Sequence, residues 1–258
     1  MNWKLFSRRP KENSEAWNIR TMFGPNLNFA TTEAYKLLRT NVMFSFTDDG
    51  DGHVIGISSS VQAEGKSSTA CNLAYMLAES GSRTVLVEAD LRKPTLGQKL
   101  NIPRVPGISN LLVSRMDYKT VVQHCALAPN LDIITSGEIP PNPSELLASV
   151  RMEELIKQLK QDYDYIVMDL PPVNVVSDTL AVSKCLDGIV MVVRSCLSDQ
   201  HMLSEAMRQL EMVNVRVLGF VYRNTDAVSK RYGKNYGKYY GKRYYKYYRK
   251  YYHEYGKK

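Results

Sequence analysis

Between positions 53 and 222 the chain alternates short, continuously apolar runs with stretches of helical period, and this alternation leaves few architectures open. The runs HVIGIS (53–58), TVLVEA (84–89), LDIIT (131–135), DYIVMD (164–169), GIVMVV (188–193) and VRVLGFVY (215–222) predict strands. KSSTACNLAYMLAES (66–80), 143–160, a stretch near 177–185 and 200–213 predict helices. Strands apolar on both sides need cover on both faces, and helices between successive strands supply it. The expectation is an α/β fold, a mostly parallel sheet with helices on both faces. Ligands of such sheets sit beyond the carboxyl ends of the strands. An earlier helix is predicted over EAYKLLRTNVMFSF, capped by Thr31 or Thr32, with Leu37, Leu38, Val42 and Phe46 at helical intervals. The helix from Pro143 is signalled by Asn142 as cap and by Glu145 three positions later.

At 258 residues and 44% hydrophobic content, one sizeable core is expected. The predicted organisation is a leader (1–29), one α/β domain (30–226) and a tail (227–258). The tail holds eleven of the seventeen tyrosines, between Tyr232 and Tyr255. From Ser229 onward eleven Lys and Arg stand against Glu254 alone, a net of +10, which leaves −2 of the total +8 for the rest. A segment so poor in Val, Ile and Leu cannot bury enough apolar surface to offset the entropy of ordering it, so a flexible tail is expected. Its charge predicts attraction to anionic lipid, nucleic acid or acidic polymer. Cys71, Cys125, Cys185 and Cys196 lie far apart without CxxC spacing, which argues against a zinc site or a disulfide framework and for a reducing cytoplasm. MNWKLFSRRP lacks an apolar run of signal-peptide length, and no stretch approaches the roughly 18 to 20 apolar residues of a membrane span. If the protein works at a membrane, another subunit or the basic tail is expected to hold it there.

SSSVQAEGKSS follows the first strand and opens a helix, the context a phosphate-binding loop requires. There backbone N–H groups and the helix N-terminus face an anion, Lys66 reaches the β and γ oxygens, and the Ser67 hydroxyl ligates Mg²⁺. Ser60 replaces the usual first Gly, and Ala63 sits in the turn, where a positive φ would cost it about 1 kcal/mol. Asp169 closes one strand, and Glu88 with Asp90 closes another. Carboxylates two residues apart on an extended strand point the same way, so both could address a metal or an incoming hydroxyl.

Together AEGKSS, EADLRKP, YIVMDLPP, SGEIPPNPSELL and the Tyr-rich end resemble a bacterial tyrosine kinase (BY-kinase) of the capsular or exopolysaccharide type, from about Glu33 to the C-terminus. The resemblance implies a P-loop NTPase-like fold and an ATP- and Mg²⁺-dependent tyrosine autokinase that regulates polysaccharide synthesis and export. Lys66, Glu88, Asp90 and Asp169 would be catalytic. Glu64, Gly65, Lys66, Ser67, Ser68 and Asn224 would bind the nucleotide, and Ser67, Asp90 and Asp169 the metal. The phosphorylated residues would be Tyr232, Tyr236, Tyr239, Tyr240, Tyr244, Tyr245, Tyr247, Tyr248, Tyr251, Tyr252 and Tyr255. Glu33, Lys36 and Arg39, spaced by three, would form an oligomer interface for a homo-oligomeric ring.

The resemblance also implies the cytoplasmic kinase subunit of a split, Firmicute-like system. Its partners would be a transmembrane polysaccharide chain-length regulator that activates it and a cognate tyrosine phosphatase, with an anionic membrane surface open to the tail. Three departures stand out: Lys36 in place of Arg, Glu88 in place of Asp, and Arg223 where the family has Asn, with Asn224 one place later. Two alternatives stay open: a weak or inactive homologue of this family, and a ParA- or MinD-like ATPase whose basic tail binds membrane or DNA. Against the second stand Val61, where those ATPases carry a signature Lys, and the clustered tyrosines; nucleic acid is accordingly disfavoured as a partner.

Overall fold

A computed structural model describes residues 23–46, 51–114, 116–195 and 197–223. The strands are β1 (His53–Ser59), β2 (Thr84–Glu88), β3 (Gln123–His124), β4 (Leu131–Ile134), β5 (Tyr165–Asp169), β6 (Gly188–Arg194) and β7 (Val217–Arg223). They form one sheet in the order β3-β4-β2-β5-β1-β6-β7. Every neighbouring pair is parallel except β3 with β4. The helices are α1 (Phe29–Phe44), α2 (Lys66–Glu79), α3 (Leu96–Leu100), α4 (Ile108–Ser114), α5 (Pro143–Leu147), α6 (Val150–Asp162), α7 (Asp178–Ala181) and α8 (Gln200–Met212).

Alternate residues of each strand enter different cores, which is why the strands read as unbroken apolar runs. Val54, Val85, Ile166 and Ile189 pack under α4, α6 and α8 with Leu112, Leu159 and Leu210. Ile55, Ile57, Leu86 and Val167 pack under α2 and α1 with Leu73, Leu77 and Val42. Each such side chain, fully removed from water, contributes about 1.5–3 kcal/mol. The register sets Glu88 opposite Asp169 and Ile57 opposite the same Asp169, so the ends of β1, β2 and β5 converge.

Several expectations are corrected. Helix α1 begins earlier than predicted: Asn28 caps it, its Oδ1 accepting the Thr31 N–H at 3.0 Å, while the Thr32 hydroxyl donates to the Asn28 carbonyl. Within the stretch read as leader, Phe23 and Gly24 are buried. The Gly24 N–H donates to Asn72 Oδ1, with a left-handed φ of 60° and Tyr75 3.3 Å from where a Cβ would stand. The helix predicted over 143–160 is two helices. Asn142 does not accept a capping bond but donates its amide to Glu145, and Ser149 caps the second helix by accepting the Met152 N–H. Near 177–185 the chain makes α7 and then a 3₁₀ turn, Ser183–Cys185. The predicted tail and most of the predicted leader lie outside the described residues. Among those described, no helix is long and apolar enough to cross a membrane. Cys71, Cys125 and Cys185 are free and buried.

Candidate active site

The turn from β1 into α2 is braced from within. The Glu64 carboxylate, fully buried, accepts the Val61 N–H at 2.9 Å, the Ser60 hydroxyl at 3.1 Å and the Ser198 hydroxyl. Glu64 therefore shapes the loop with its side chain and leaves only its backbone for a nucleotide. Ser60, standing where a Gly is usual, is used as a donor in this brace. Ala63 adopts a left-handed φ of 64° and Gly65 one of 99°. For Ala that conformation costs about 1–2 kcal/mol, so the strain anticipated from the sequence is present. No side chain caps the N-terminus of the fourteen-residue α2 and no acid lies in its first turn. Its N–H groups and the positive end of its dipole are left for an anion.

Three charges meet at this mouth. Lys66 Nζ lies 2.7 Å from Asp90 Oδ2 and 3.8 Å from Asp169 Oδ1, and all three side chains are buried. Burial pulls the Lys66 pKa down, but Asp169 and Asp90 outweigh it and hold the ammonium above its ordinary value. Asp169 is pushed up by burial, against the pull of Lys66 and of a hydrogen bond with Ser67. Its Oδ1 has no hydrogen-bond partner among the described residues. Asp90 Oδ1 accepts the Lys93 N–H at 3.0 Å.

Glu88, expected from the sequence to address a metal or hydroxyl beside Asp90, has both its oxygens on backbone N–H groups. Strand β2 ends at Glu88, so Asp90 lies just beyond it. Glu88 Oε1 accepts the N–H groups of Thr95 at 2.5 Å and Leu96 at 2.6 Å, and Oε2 that of Ser136 at 3.1 Å. The fully buried carboxylate is saturated by backbone and anchors the start of α3.

A cavity of about 700 Å³ opens over the loop, walled by Gln62, Lys66–Ser68, Asp90, Arg92, Lys93, Lys99, Pro171–Pro172 and Val175–Val176. Arg194 and Arg223 also line it, and neither was given a site role from the sequence. They are register partners across β6 and β7, and donate to the carbonyls of Ala63 at 2.8 Å and Gly65 at 3.3 Å. The signal was legible: both strands end in Arg. Arg92 was likewise missed. Its guanidinium grips the fully buried Asp178 at 2.8 and 2.9 Å and touches Ser144, tying the segment after β2 to α5 and α7.

Among the described residues no group of three or more His, Cys, Asp or Glu is arranged to hold a metal by itself. The donors present are the Ser67 hydroxyl, Asp90 and the unpartnered Oδ1 of buried Asp169. They fit Mg²⁺, which takes one or two carboxylates and shares the rest of its shell with phosphate and water. On α1, Glu33 pairs with Lys36 at 2.9 Å, whereas Arg39 turns inward to the Met76 carbonyl at 3.2 Å. The predicted interface triad is therefore split between surface and core contact. Asn224 and all eleven tail tyrosines lie outside the described residues.

Residues 52–217 match the family model described as an AAA domain. The chain is 35% identical over 190 residues to the tyrosine-protein kinase YwqD of Bacillus subtilis, covering 74% of this chain and 79% of that protein. It is 37% identical over 201 residues to EpsB of Ralstonia nicotianae, covering 78% of this chain but 26% of that protein, so it spans about a quarter of this relative. The kinase domain of the Escherichia coli tyrosine kinase ETK superposes with a TM-score of 0.73 at 29% identity, over 80% of each chain. The septum site-determining protein MinD of Pyrococcus horikoshii, complexed with Mg-ADP, does so at 0.57 and 21% identity, over 66% of this chain and 70% of that one, and shares the fold alone.

Proposed function

Since the chain belongs to the bacterial tyrosine-kinase family, we propose that it transfers the terminal phosphoryl group of ATP to tyrosine hydroxyls, those of its own C-terminal cluster first. The observation that carries this is Lys66, held 2.7 Å from Asp90 at the uncapped start of α2. A triphosphate on that helix end would draw the ammonium onto its oxygens and release Asp90 toward the cavity. A tyrosine pKa near 10 means that the phenol needs a base. Asp90 is the group at hand to take its proton as the phenol oxygen bonds to the γ phosphorus and the bond to the bridging oxygen breaks, releasing ADP. Lys66 then faces the charge gathering on the bridging oxygen and the moving phosphoryl group. Ser67, Asp90 and Asp169 would hold Mg²⁺, which when bound neutralises phosphate charge and orients the chain of phosphates.

In this reading the protein regulates capsular or exopolysaccharide synthesis from the inner face of the membrane. A transmembrane chain-length regulator activates it, a ring of copies passes tails between sites through the α1 face, and a tyrosine phosphatase resets it. Each phosphate brings about −1.5 to −2 charges, so about five to seven would neutralise the tail's +10 and release it from an anionic surface. Intact mass before and after phosphatase tests the assignment. Wild type incubated with Mg-ATP and its activator gains several phosphates that phosphatase removes, and Lys66→Met gains none. Wild type with no added mass, yet binding ATP, would establish instead nucleotide binding without turnover, a reading that Ala63 in its strained turn and the saturated Glu88 favour.

A further inference from the structure

Six cations line the cavity over the phosphate loop, and five already hold protein partners. Lys66 is paired with Asp90, Arg92 with Asp178, Lys93 donates to Gln62, and Arg194 and Arg223 hold the carbonyls of Ala63 and Gly65. Lys99 is the exception, its ammonium making no hydrogen bond or ion pair among the described residues. It is half-buried on α3 and shares the cavity wall with Lys66, Ser67 and Asp90. Burial lowers its pKa, while Asp169 acts in the opposite direction and Lys66 reinforces the fall, so its charge belongs to the Lys66–Asp169 cluster. An ammonium stripped of part of its water without a partner is costly, and an anion entering the cavity removes that cost.

The helix that carries Lys99 cannot place itself. Five residues are too few for a self-supporting helix, and Thr95 at its N-cap makes no side-chain capping bond. Glu88 supplies what is missing by accepting the N–H groups of Thr95 and Leu96 on the same oxygen. A shorter Asp at position 88 would fall over an ångström short of them.

We infer that Lys99 holds an oxygen of the terminal phosphoryl group of a bound nucleoside triphosphate, and that Glu88 is the positioning residue that sets α3 so that it can. The inference rests on the nucleotide site proposed above, and not on which hydroxyl accepts the phosphoryl group. Lys99 then shares the γ-phosphoryl charge with Lys66, and the α and β phosphates stay with the loop and α2.

The test is a titration of the full chain, in Mg²⁺, with fluorescent ADP and a fluorescent non-hydrolysable ATP analogue. For Lys99→Met the triphosphate affinity should fall about tenfold, the scale of a lost charged hydrogen bond, with ADP affinity nearly unchanged. Lys99→Arg should recover most of the loss, and Glu88→Asp should fall between wild type and Lys99→Met. An unchanged triphosphate-to-diphosphate ratio in Lys99→Met, or an equal loss of both ligands, would overturn the role of Lys99. A wild-type ratio in Glu88→Asp would overturn the role of Glu88. Phosphotyrosine is measured on the same samples: its absence from wild type that still binds both nucleotides rejects the kinase reading and leaves Lys99 decided by the titration.

Discussion

Beside each end of the adjacent strands β2 and β5 lies an ion pair, one between the residues that precede the two strands and one between Asp90, after β2, and Lys66 at the start of α2, and the two pairs have the same length. At the amino ends Arg83 and Asp164 stand 2.7 Å apart with side chains 59% and 41% exposed; at the carboxyl ends Lys66 and Asp90 stand 2.7 Å apart at 11% and 9%. Equal distance does not mean equal energy. The exposed pair sits in water that screens it, whereas the buried one lies where charge is expensive unless matched. Asp169, fully buried beside Lys66 with one oxygen unpartnered, makes the carboxyl end costlier still. The amino-end pair ties the starts of two neighbouring strands, whereas the carboxyl-end pair lies in the wall of the cavity over the turn from β1 into α2.

Removing the shared cation should expose this difference most. Lys66→Met should cut phosphotyrosine formation by at least about a hundredfold, since charge stabilisation in a closed site is worth that much or more. It should also lower unfolding free energy by about 3 kcal/mol at pH 8, because Asp90 and Asp169 lose their counter-ion. The stability loss should shrink toward pH 5 as the stranded Asp169 carboxyl, already raised by burial, takes up a proton. Urea unfolding at the two pH values measures it, and a pH-independent loss would contradict the account.

Glu88 tests whether every buried acid at this end serves the ligand. It is saturated by three backbone N–H groups, so Glu88→Ala should leave those donors dry and destabilise the fold by about 2–3 kcal/mol. Because the groups lost are hydrogen bonds rather than a counter-ion, the deficit should persist at both pH values. Thermal unfolding of the variant, with ADP binding as a check on the loop, separates the two roles.

Asp169→Asn should move stability the other way. The folded protein raises this carboxyl above its ordinary 3.8, mainly through burial, so ionisation favours the unfolded chain as pH climbs past the ordinary value. Wild type therefore keeps its full contribution from this group below the ordinary value and loses it as pH rises through the raised one. The Asn variant escapes that loss and should be more stable than wild type at pH 8, with the gain vanishing as pH falls to the ordinary value. Phosphotyrosine should disappear with it. A variant that is inactive and also less stable at pH 8 would break the idea that this end gives up stability for function.

What could be read from the sequence follows the same division. TVLVE and YIVMD are continuous apolar runs, and the strands match their predicted spans to within a residue or so, because burial on both faces leaves a local trace. Lys66, Ser67, Asp90 and Asp169 were legible as strand ends and a helix start, which the parallel topology then gathers. Local pattern did not reveal α3, α4 or β3, each of two to seven residues, too short to show a period. Nor could it give the direction of Glu88, which depends on N–H groups seven, eight and forty-eight positions away. Arg194 and Arg223 reach the loop only through the pairing of β6 with β7 and the folding of both against β1. Asn28, rather than Thr31 or Thr32, caps α1, and the chain just before it is held by the contact of Gly24 with Asn72 of α2.

The smallest effect belongs to the amino-end pair, and its smallness is the point. Arg83 donates to Asp164 through two side-chain nitrogens, and its own backbone N–H donates to the same carboxylate at 2.8 Å. In Arg83→Ala that backbone bond survives, and the Asp164 carboxylate, part of it in water, keeps a hydrogen-bond donor. The side-chain hydrogen bond and the charge of Arg83 hold the Asp164 pKa below its ordinary value against the effect of burial, so the pair's contribution is present at neutral pH and fades only as pH falls into the acid range. Arg83→Ala should leave the neutral-pH unfolding midpoint within replicate scatter in 0.5 M salt, a concentration on the order of which the screening length drops to a few ångströms. A clear loss there, comparable to that of Lys66→Met, would mean that the two ends of the sheet do not differ in the way their burial implies.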